Sequence, residues 1–108
     1  MQGYSGDNGA ATLATLSSPQ GIAMDSSNNL FIADNSKHVV RRVDGITGEI
    51  TTFAGTGVGG YNQDAIDATT SKLNAPFNVA VDLNGDVYIA DTLNHRIRMV
   101  RERMCWDC

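Results

Sequence analysis

Two segments of the chain each bring an aspartate, a histidine and an arginine together with the same spacing. They are Asp34, His38 and Arg41 in the first segment and Asp91, His95 and Arg98 in the second. A carboxylate near an imidazole could perform general acid–base catalysis or bind a ligand. The structural alternative is a turn in which the aspartate accepts hydrogen bonds from backbone N–H groups and pairs with the arginine, while the histidine bonds the backbone.

We interpret these six residues as structural motif residues and predict no catalytic residue. Their surroundings support this interpretation, because Lys37 in the first segment is replaced by Asn94 in the second. The apolar residues and the Asp-to-His spacing persist, which is typical of scaffold geometry. If the Asp–Arg pairs lie at the surface, each contributes only about 0–1 kcal/mol to stability.

Both segments belong to a repeat with an offset of 57 residues, the separation of Asp34 and Asp91. The same offset aligns Gly3-Tyr4 with Gly60-Tyr61 and Pro19 with Pro76. A period of this length is typical of a solenoid, a propeller or a repeat array.

Each repeat has the pattern of short antiparallel strands separated by tight turns. Asn84-Gly85, and more weakly Asn28-Asn29, are hairpin signals because these residues tolerate positive φ. The predicted strands are residues 20–25, 30–33, 38–43 and 49–54 in the first repeat and 77–82, 87–90 and 95–101 in the second. An apolar inner strand and a Thr-rich outer strand predict an all-β propeller blade of four strands.

The residues of the second repeat resemble a known family. Residues 88–97, Tyr-Ile-Ala-Asp-Thr-Leu-Asn-His-Arg-Ile, are similar to the NHL repeat, which is named after this motif, and residues 76–82 match its first half. The glycine-rich residues 3–9 and 54–57 resemble the loops between blades of long-period members. The resemblance implies a β-propeller, most often with six blades, that usually acts as a binding module.

The chain is predicted to be a single propeller segment, residues 1–108, that holds only two blades. The first repeat spans about residues 3–57, the second about 60–101, and a tail follows at 102–108. The tail either pairs as an irregular outer strand of the second blade or leaves the third strand as an edge. Two blades alone expose two apolar faces, so either three identical chains close a six-bladed ring or the remaining blades are missing from a fragment. We favour the homotrimer.

Composition narrows the classes of function. A net charge of −4 and a pI near 4.8 argue against nucleic-acid binding and against an anionic membrane surface. No apolar run reaches the roughly 20 residues of a membrane span, and Met1-Gln2-Gly3-Tyr4 lacks the plan of a signal peptide. We therefore expect a soluble chain, and the sequence leaves its compartment unknown.

Other motifs have simpler explanations than a site. Residues 82–86 resemble the start of a calcium loop, but Leu93 stands where the closing carboxylate is needed, so a hairpin explains them better. Cys105 and Cys108 form a C-x-x-C pair at the chain end without the helix or further ligands that redox or zinc chemistry needs. The sequence therefore predicts neither a metal site nor a cofactor.

The function class that remains is the binding of a ligand at a rim formed by loops. In a propeller, the turn between the second and third strands shares one rim with the long loop between blades, and loops on a rigid scaffold often carry binding residues. The candidate rim residues are Tyr4, Asp7, Asp34, Asn35, Lys37, Tyr61, Asp64, Thr92 and Asn94. Their polar and acidic character predicts a non-catalytic module that binds a protein, a peptide or a sugar. The alternatives are a propeller hydrolase or lyase with a channel metal, an RNA-binding propeller, and a repeat fragment without independent activity.

Overall fold

Eight β-strands form two antiparallel sheets in the computed structural model, which describes residues 7, 9–10, 16, 18–60 and 72–100. The strands are β1 Gly9–Ala10, β2 Pro19–Met24, β3 Leu30–Asp34, β4 Val39–Val43, β5 Glu49–Ala54, β6 Pro76–Val81, β7 Val87–Asp91 and β8 Arg96–Val100. Short 3-10 turns at Asn35–Lys37 and Thr92–Asn94 interrupt them. The all-β class predicted from the alternating apolar pattern is confirmed.

The first sheet has the strand order β1-β5-β4-β3-β2, and the second has the order β6-β7-β8. The prediction of four strands in the first repeat was wrong by one, because the predicted N-terminal loop contributes β1. This strand pairs Gly9 with Ile50 and Ala10 with Glu49, and so occupies the edge that β5 would otherwise leave open. The second sheet has three strands within the described residues, and the tail at 102–108 lies outside them.

The core lies between the two sheets. The front face of the first sheet, which we define by Ala23, Phe31, Ala33, Val40 and Phe53, packs against the second sheet in one hydrophobic cluster. The second sheet contributes its back face, defined by Val79, Val81, Val87, Ile89 and Val100. Within the front face, the rings of Phe31 and Phe53 meet edge to face with centroids 4.9 Å apart. The two repeats therefore stack front to back.

The hairpin turns at the β2–β3 and β6–β7 connections confirm the turns predicted from Asn28-Asn29 and Asn84-Gly85. Asn28 and Gly85, which occupy matched positions, have φ of 68° and 86°. Asp82 Oδ1 accepts the N–H groups of Asn84 and Asp86 at 2.9 and 3.0 Å, and Tyr88 donates its hydroxyl to Asp82 Oδ2. The carboxylate of Asp82 thus closes a hairpin, as the sequence interpretation of residues 82–86 expected.

The aspartates of two hairpin turns, Asp25 and Asp82, predict that the free energy of unfolding falls at acid pH. Partial burial raises the pKa of Asp25, but hydrogen bonds from the side chain and backbone of Asn29 and from the backbone of Ser27 outweigh it and hold the pKa below its ordinary 3.8. The pKa of Asp82 is likewise lowered, against burial, by bonds from the Asp86 backbone and the Tyr88 hydroxyl. Because both values are depressed on folding, the stabilisation is present above pH 3.8 and is lost as the pH falls through the folded-state pKa.

Urea unfolding between pH 6 and pH 2 tests this prediction. We expect the double variant Asp25→Asn/Asp82→Asn to lose stability less steeply than the native chain below about pH 4, the unperturbed range of aspartate. Leu83→Asn, an exposed substitution in the Asp82 hairpin that removes no carboxylate, is the control and should keep the native slope. An unchanged slope in the double variant would show that other groups govern acid unfolding.

Candidate functional site

One end of the two sheets gathers both Asp-His-Arg segments. The antiparallel order places the β3–β4 and β7–β8 turns, the exit of β5 and the entry of β6 at the same end. We call this end the turn rim, defined by residues 34–38, 55–60, 72–75 and 91–95. The hairpin turns at 25–29, 44–48 and 82–86 form the opposite rim.

The two histidines end their 3-10 turns in the left-handed conformation. His38 has φ 59° and ψ 41°, and His95 has φ 57° and ψ 40°. Residues other than glycine rarely adopt this conformation, so its recurrence reflects a constraint of the turn. The turn reverses the chain within four residues and thereby brings the Asp and the Arg of each repeat onto neighbouring strands.

The second repeat contains a buried ion pair. Arg98 Nη1 lies 2.9 Å from Asp91 Oδ2, and both side chains are almost completely removed from solvent. Asp91 also accepts the Asn74 N–H at 2.7 Å and the Asn94 side-chain amide at 2.9 Å, while Arg98 Nη1 donates to the Lys72 carbonyl. This pair therefore does not lie at the surface, and the low surface value of about 0–1 kcal/mol does not apply to it.

The equivalent residues of the first repeat, Asp34 and Arg41, are also buried and hydrogen-bonded. The Ser18 N–H donates to Asp34 Oδ1 at 2.9 Å, and the carboxylate of Asp34 is completely buried. Arg41 is also completely buried and donates through Nε and Nη2 to Asp7 Oδ1 at 3.1 and 2.8 Å. Thr52 donates its hydroxyl to Asp7 Oδ2, which ties the N-terminal segment to β5. Sequence reasoning missed Thr52, since nothing but its strand pattern marks it.

His38 connects the two sheets. Its Nδ1 accepts the N–H of Ala75 at 2.9 Å, and Asn35 donates its side-chain amide to the Pro76 carbonyl at 3.4 Å. His38 thus accepts a hydrogen bond from the entry of the next sheet, whereas the sequence predicted a bond across its own turn. His95 has the same backbone geometry but is exposed, with no side-chain hydrogen bond to any described residue.

Comparison of His38 with its matched residue His95 tests the hydrogen bond between the Ala75 N–H and His38 Nδ1. We expect His38→Ala to lower the free energy of unfolding by roughly 1–3 kcal/mol more than His95→Ala, because it leaves the Ala75 N–H without its acceptor. Both variants share the strain of a left-handed alanine, so their difference isolates the hydrogen bond. His38→Asn, which tolerates this conformation and retains an acceptor, should recover most of the loss in thermal or urea unfolding. Equal losses at the two positions would contradict the bridge.

The predicted rim residues have different environments. Thr92 is exposed, whereas Asn35, Lys37 and Asn94 are half-buried. The Asn94 amide donates to the Gly60 carbonyl as well as to Asp91, so it braces the rim from inside. Burial removes Asp34 from the surface on which the prediction placed it, and the carboxylate of Asp7 is engaged by Arg41 and Thr52. Tyr4, Tyr61 and Asp64 lie outside the described residues.

The opposite rim carries a cavity that sequence reasoning did not find. It has a volume of about 520 Å³ and lies between the hairpin turns of the two repeats, above Phe31 and Phe53. Arg42 and Asn84 contribute polar groups to its wall, and Arg42 lies 3.7 Å from Asp44. The sequence predicts the hairpins at 25–29 and 82–86 only as turns, and nothing in their residues indicates that a cavity lies between them.

Within residues 7, 9–10, 16, 18–60 and 72–100, no three His, Cys, Asp or Glu side chains are grouped as metal ligands would be. The same residues contain no helix with the length and apolar character needed for a membrane crossing. Cys105 and Cys108 fall outside them.

Comparisons with known proteins agree with the geometry. Residues 16–42 match the family model described as NHL repeat. The chain is 36% identical to human NHL repeat-containing protein 2 over 95 residues, which are 86% of the chain and 13% of that protein. It is 29% identical to the Arabidopsis thaliana protein SUPPRESSOR OF QUENCHING 1, chloroplastic, over 88% of the chain and 9% of that protein.

A solved structure shows the same fold. A Bacteroides thetaiotaomicron protein of unknown function superposes with a TM-score of 0.70 and 29% identity, covering 80% of this chain and 22% of that one. The chain therefore spans about a quarter or less of each protein it matches here. Its two sheets are arranged as in β-propeller-like folds.

Proposed function

Because this chain carries the NHL repeat, we propose that it is a non-catalytic interaction module that binds a protein, a peptide or a sugar on the turn rim of a β-propeller. The proposal rests on one observation, which is that hydrogen bonds within the chain hold the turn rim in a fixed conformation. In both repeats the Asp and Arg side chains make hydrogen bonds within the chain. Asn94 does so in the second repeat, and His38 connects the first repeat to the second. A rim fixed in this way presents its remaining exposed side chains at defined positions.

The exposed rim residues indicate the chemistry of the ligand. In the described rim, Ser36, Thr92 and His95 are exposed polar residues, Val58 and Leu93 are exposed apolar residues, and Lys37 and Lys72 are half-buried cations. This mixture suits a polypeptide or a sugar better than a phosphate backbone, since the net charge of −4 repels polyanions. Nucleic acid is therefore not proposed as a partner.

We also propose that the module works as a ring. A six-bladed propeller needs three copies of this two-repeat chain, and a homotrimer would place three identical turn rims around one channel. Repetition of the rim would raise the avidity for a ligand that contacts more than one copy.

Selection from a phage-displayed peptide library on the immobilised chain, with a glycan array as the second arm, tests the rim. We expect Lys37→Glu and Thr92→Arg each to weaken the selected ligands by about 10-fold or more, because each changes the charge at the contact. Leu83→Arg, at a position 94% exposed on the opposite rim, is the matched control and should leave binding unchanged. Loss of binding in the control alone would place the binding site on the opposite rim. The proposal is contradicted if neither the peptide library nor the glycan array yields a ligand.

A further inference from the structure

The cavity on the opposite rim has the size of a small-molecule site. Residues 25–27 and 29 of the first repeat and 83–85 of the second line its sides, and Phe31 and Phe53 lie at its base. Its volume of about 520 Å³ falls within the roughly 300–1,000 Å³ of ligand pockets in proteins. The length of the strands separates it from the turn rim, so a ligand bound in it occupies a different place from the ligand of the proposed function.

One wall of the cavity is fixed by hydrogen bonds within the first hairpin turn. Asp25 Oδ1 accepts the N–H groups of Ser27 and Asn29, each at 2.9 Å, and Asp25 Oδ2 accepts the Asn29 side-chain amide at 2.9 Å. Asn29 Oδ1 in turn accepts the Gly45 N–H at 2.8 Å. This wall therefore has its shape before a ligand binds, which lowers the cost of ordering it on binding.

Other groups around the cavity have hydrogen-bonding capacity that the described residues do not use. Arg42 lies opposite Phe31 in the β3–β4 register, and its Nη1 is 3.7 Å from Asp44 Oδ2, too far for a hydrogen bond. Within the part of the chain that the structure describes, the side chains of Arg42, Asn84 and Ser26 make no hydrogen bond. A guanidinium, an amide and a hydroxyl are thus available to a ligand that lies over the aromatic base.

The charges around the cavity favour an uncharged ligand. The charge of Arg42 is attracted to the carboxylates of both Asp25 and Asp44, so it is already balanced by the chain. These carboxylates would repel an anion, and Arg42 would repel a cation. A neutral molecule with several hydroxyls can accept hydrogen bonds from Arg42 and the Asn84 amide, and can donate to the amide oxygen of Asn84.

We propose that this cavity binds a neutral sugar, either a monosaccharide or a disaccharide, at a second site that goes beyond the proposed function of the turn rim. The hydroxyls of the sugar bond Arg42, Asn84 and Ser26, and its C–H groups pack on the edges of Phe31 and Phe53. A sugar ring combines these two kinds of surface, since hydroxyls surround its edge and C–H groups form its faces.

Two variants test the site with residues that the second repeat already holds. Arg42→Met and Ser26→Leu introduce the residues found at the matched positions, Met99 and Leu83, so both are compatible with a blade. Saturation-transfer NMR of the whole chain with D-glucose, D-galactose, D-mannose and maltose should identify a sugar that binds at about millimolar concentration. We expect each variant to weaken that binding about 10-fold or more, because each removes a hydrogen-bond donor from the cavity. Arg96→Met, at an exposed arginine of β8, is the control and should leave binding unchanged.

A second measurement on the native chain does not depend on the folding of a variant. The side-chain amide signal of Asn84 should shift as the sugar is added, and an Asn84 signal that stays in place at saturation overturns the inference. It is also overturned if no sugar of the panel binds, or if D-glucuronate or D-glucosamine binds more tightly than the neutral sugars. Unchanged binding in both Arg42→Met and Ser26→Leu, with circular dichroism showing that both are folded, has the same meaning.

The turn rim supplies the comparison that separates this site from the proposed function. Thr92→Arg, on the turn rim, should leave sugar binding in the cavity unchanged. If Thr92→Arg abolishes sugar binding and the two cavity variants do not, the sugar lies on the turn rim, so the inference fails and the proposed function stands. If the cavity variants lose the sugar and no ligand of the turn rim is found, the inference stands and the proposed function fails.

Discussion

Replacing Arg98 with methionine is expected to lower the free energy of unfolding by about 3–5 kcal/mol, because the substitution leaves the buried carboxylate of Asp91 without its cation. Both side chains are almost completely buried, and their charged atoms lie 2.9 Å apart. Arg98 also donates to the Lys72 carbonyl, so the variant releases the segment that leads into β6. Urea unfolding at neutral pH, monitored by circular dichroism, measures the loss.

Two further variants make this prediction specific. Arg96→Met on the same strand is exposed and should change stability by no more than about 1 kcal/mol, the range of a surface interaction. Asp91→Asn/Arg98→Met removes both charges and retains an oxygen that can accept the Asn74 N–H, so it should recover part of the loss. A loss for Arg98→Met no larger than that for Arg96→Met would mean that the pair is not buried.

Replacing Ile89 with alanine is expected to destabilise the chain by about 2–5 kcal/mol, whereas Ile97→Ala should be nearly neutral in the monomer. Ile89 is completely buried between the sheets, and its removal opens a cavity lined by the front face of the first sheet. Ile97 lies on the opposite face of the same sheet and is 67% exposed. The two substitutions delete the same atoms, so only the environment differs.

Thermal and urea unfolding at a concentration that keeps the chain monomeric gives both values. Equal effects of the two substitutions in the monomer would contradict front-to-back packing of the repeats.

The fold was predictable where local chemistry and repetition agree. The strand Glu49–Ala54 was predicted with its bounds, because its alternating Thr-rich pattern continues to the glycine that ends it. The β6–β7 hairpin followed from Asn84-Gly85, and the repeat offset transferred the same turn to Asn28. By contrast, β1 is two residues of Gly-Ala without any strand pattern, and only the free edge of β5 makes it a strand.

The contacts of the candidate site were less predictable than the strands, because they join residues that are far apart in the sequence. The sequence identified Asp91 and Arg98 as partners, but charge alone does not reveal burial, and the loop that covers them lies 17 or more residues earlier. His38 bonds a backbone group 37 residues away, which only the stacking of the sheets brings near. The Asp and Arg side chains of the two segments thus stabilise the rim from within the chain, and His38 connects the first sheet to the second.

The mass of the native chain in solution tests the central claim most directly. That claim is the proposed ring, in which three copies of a chain with two stacked NHL-type repeats make up six blades. Light scattering coupled to size exclusion should give a particle three times the 11.5 kDa chain mass at micromolar concentration. A monodisperse particle of one chain mass over the same concentrations would contradict it.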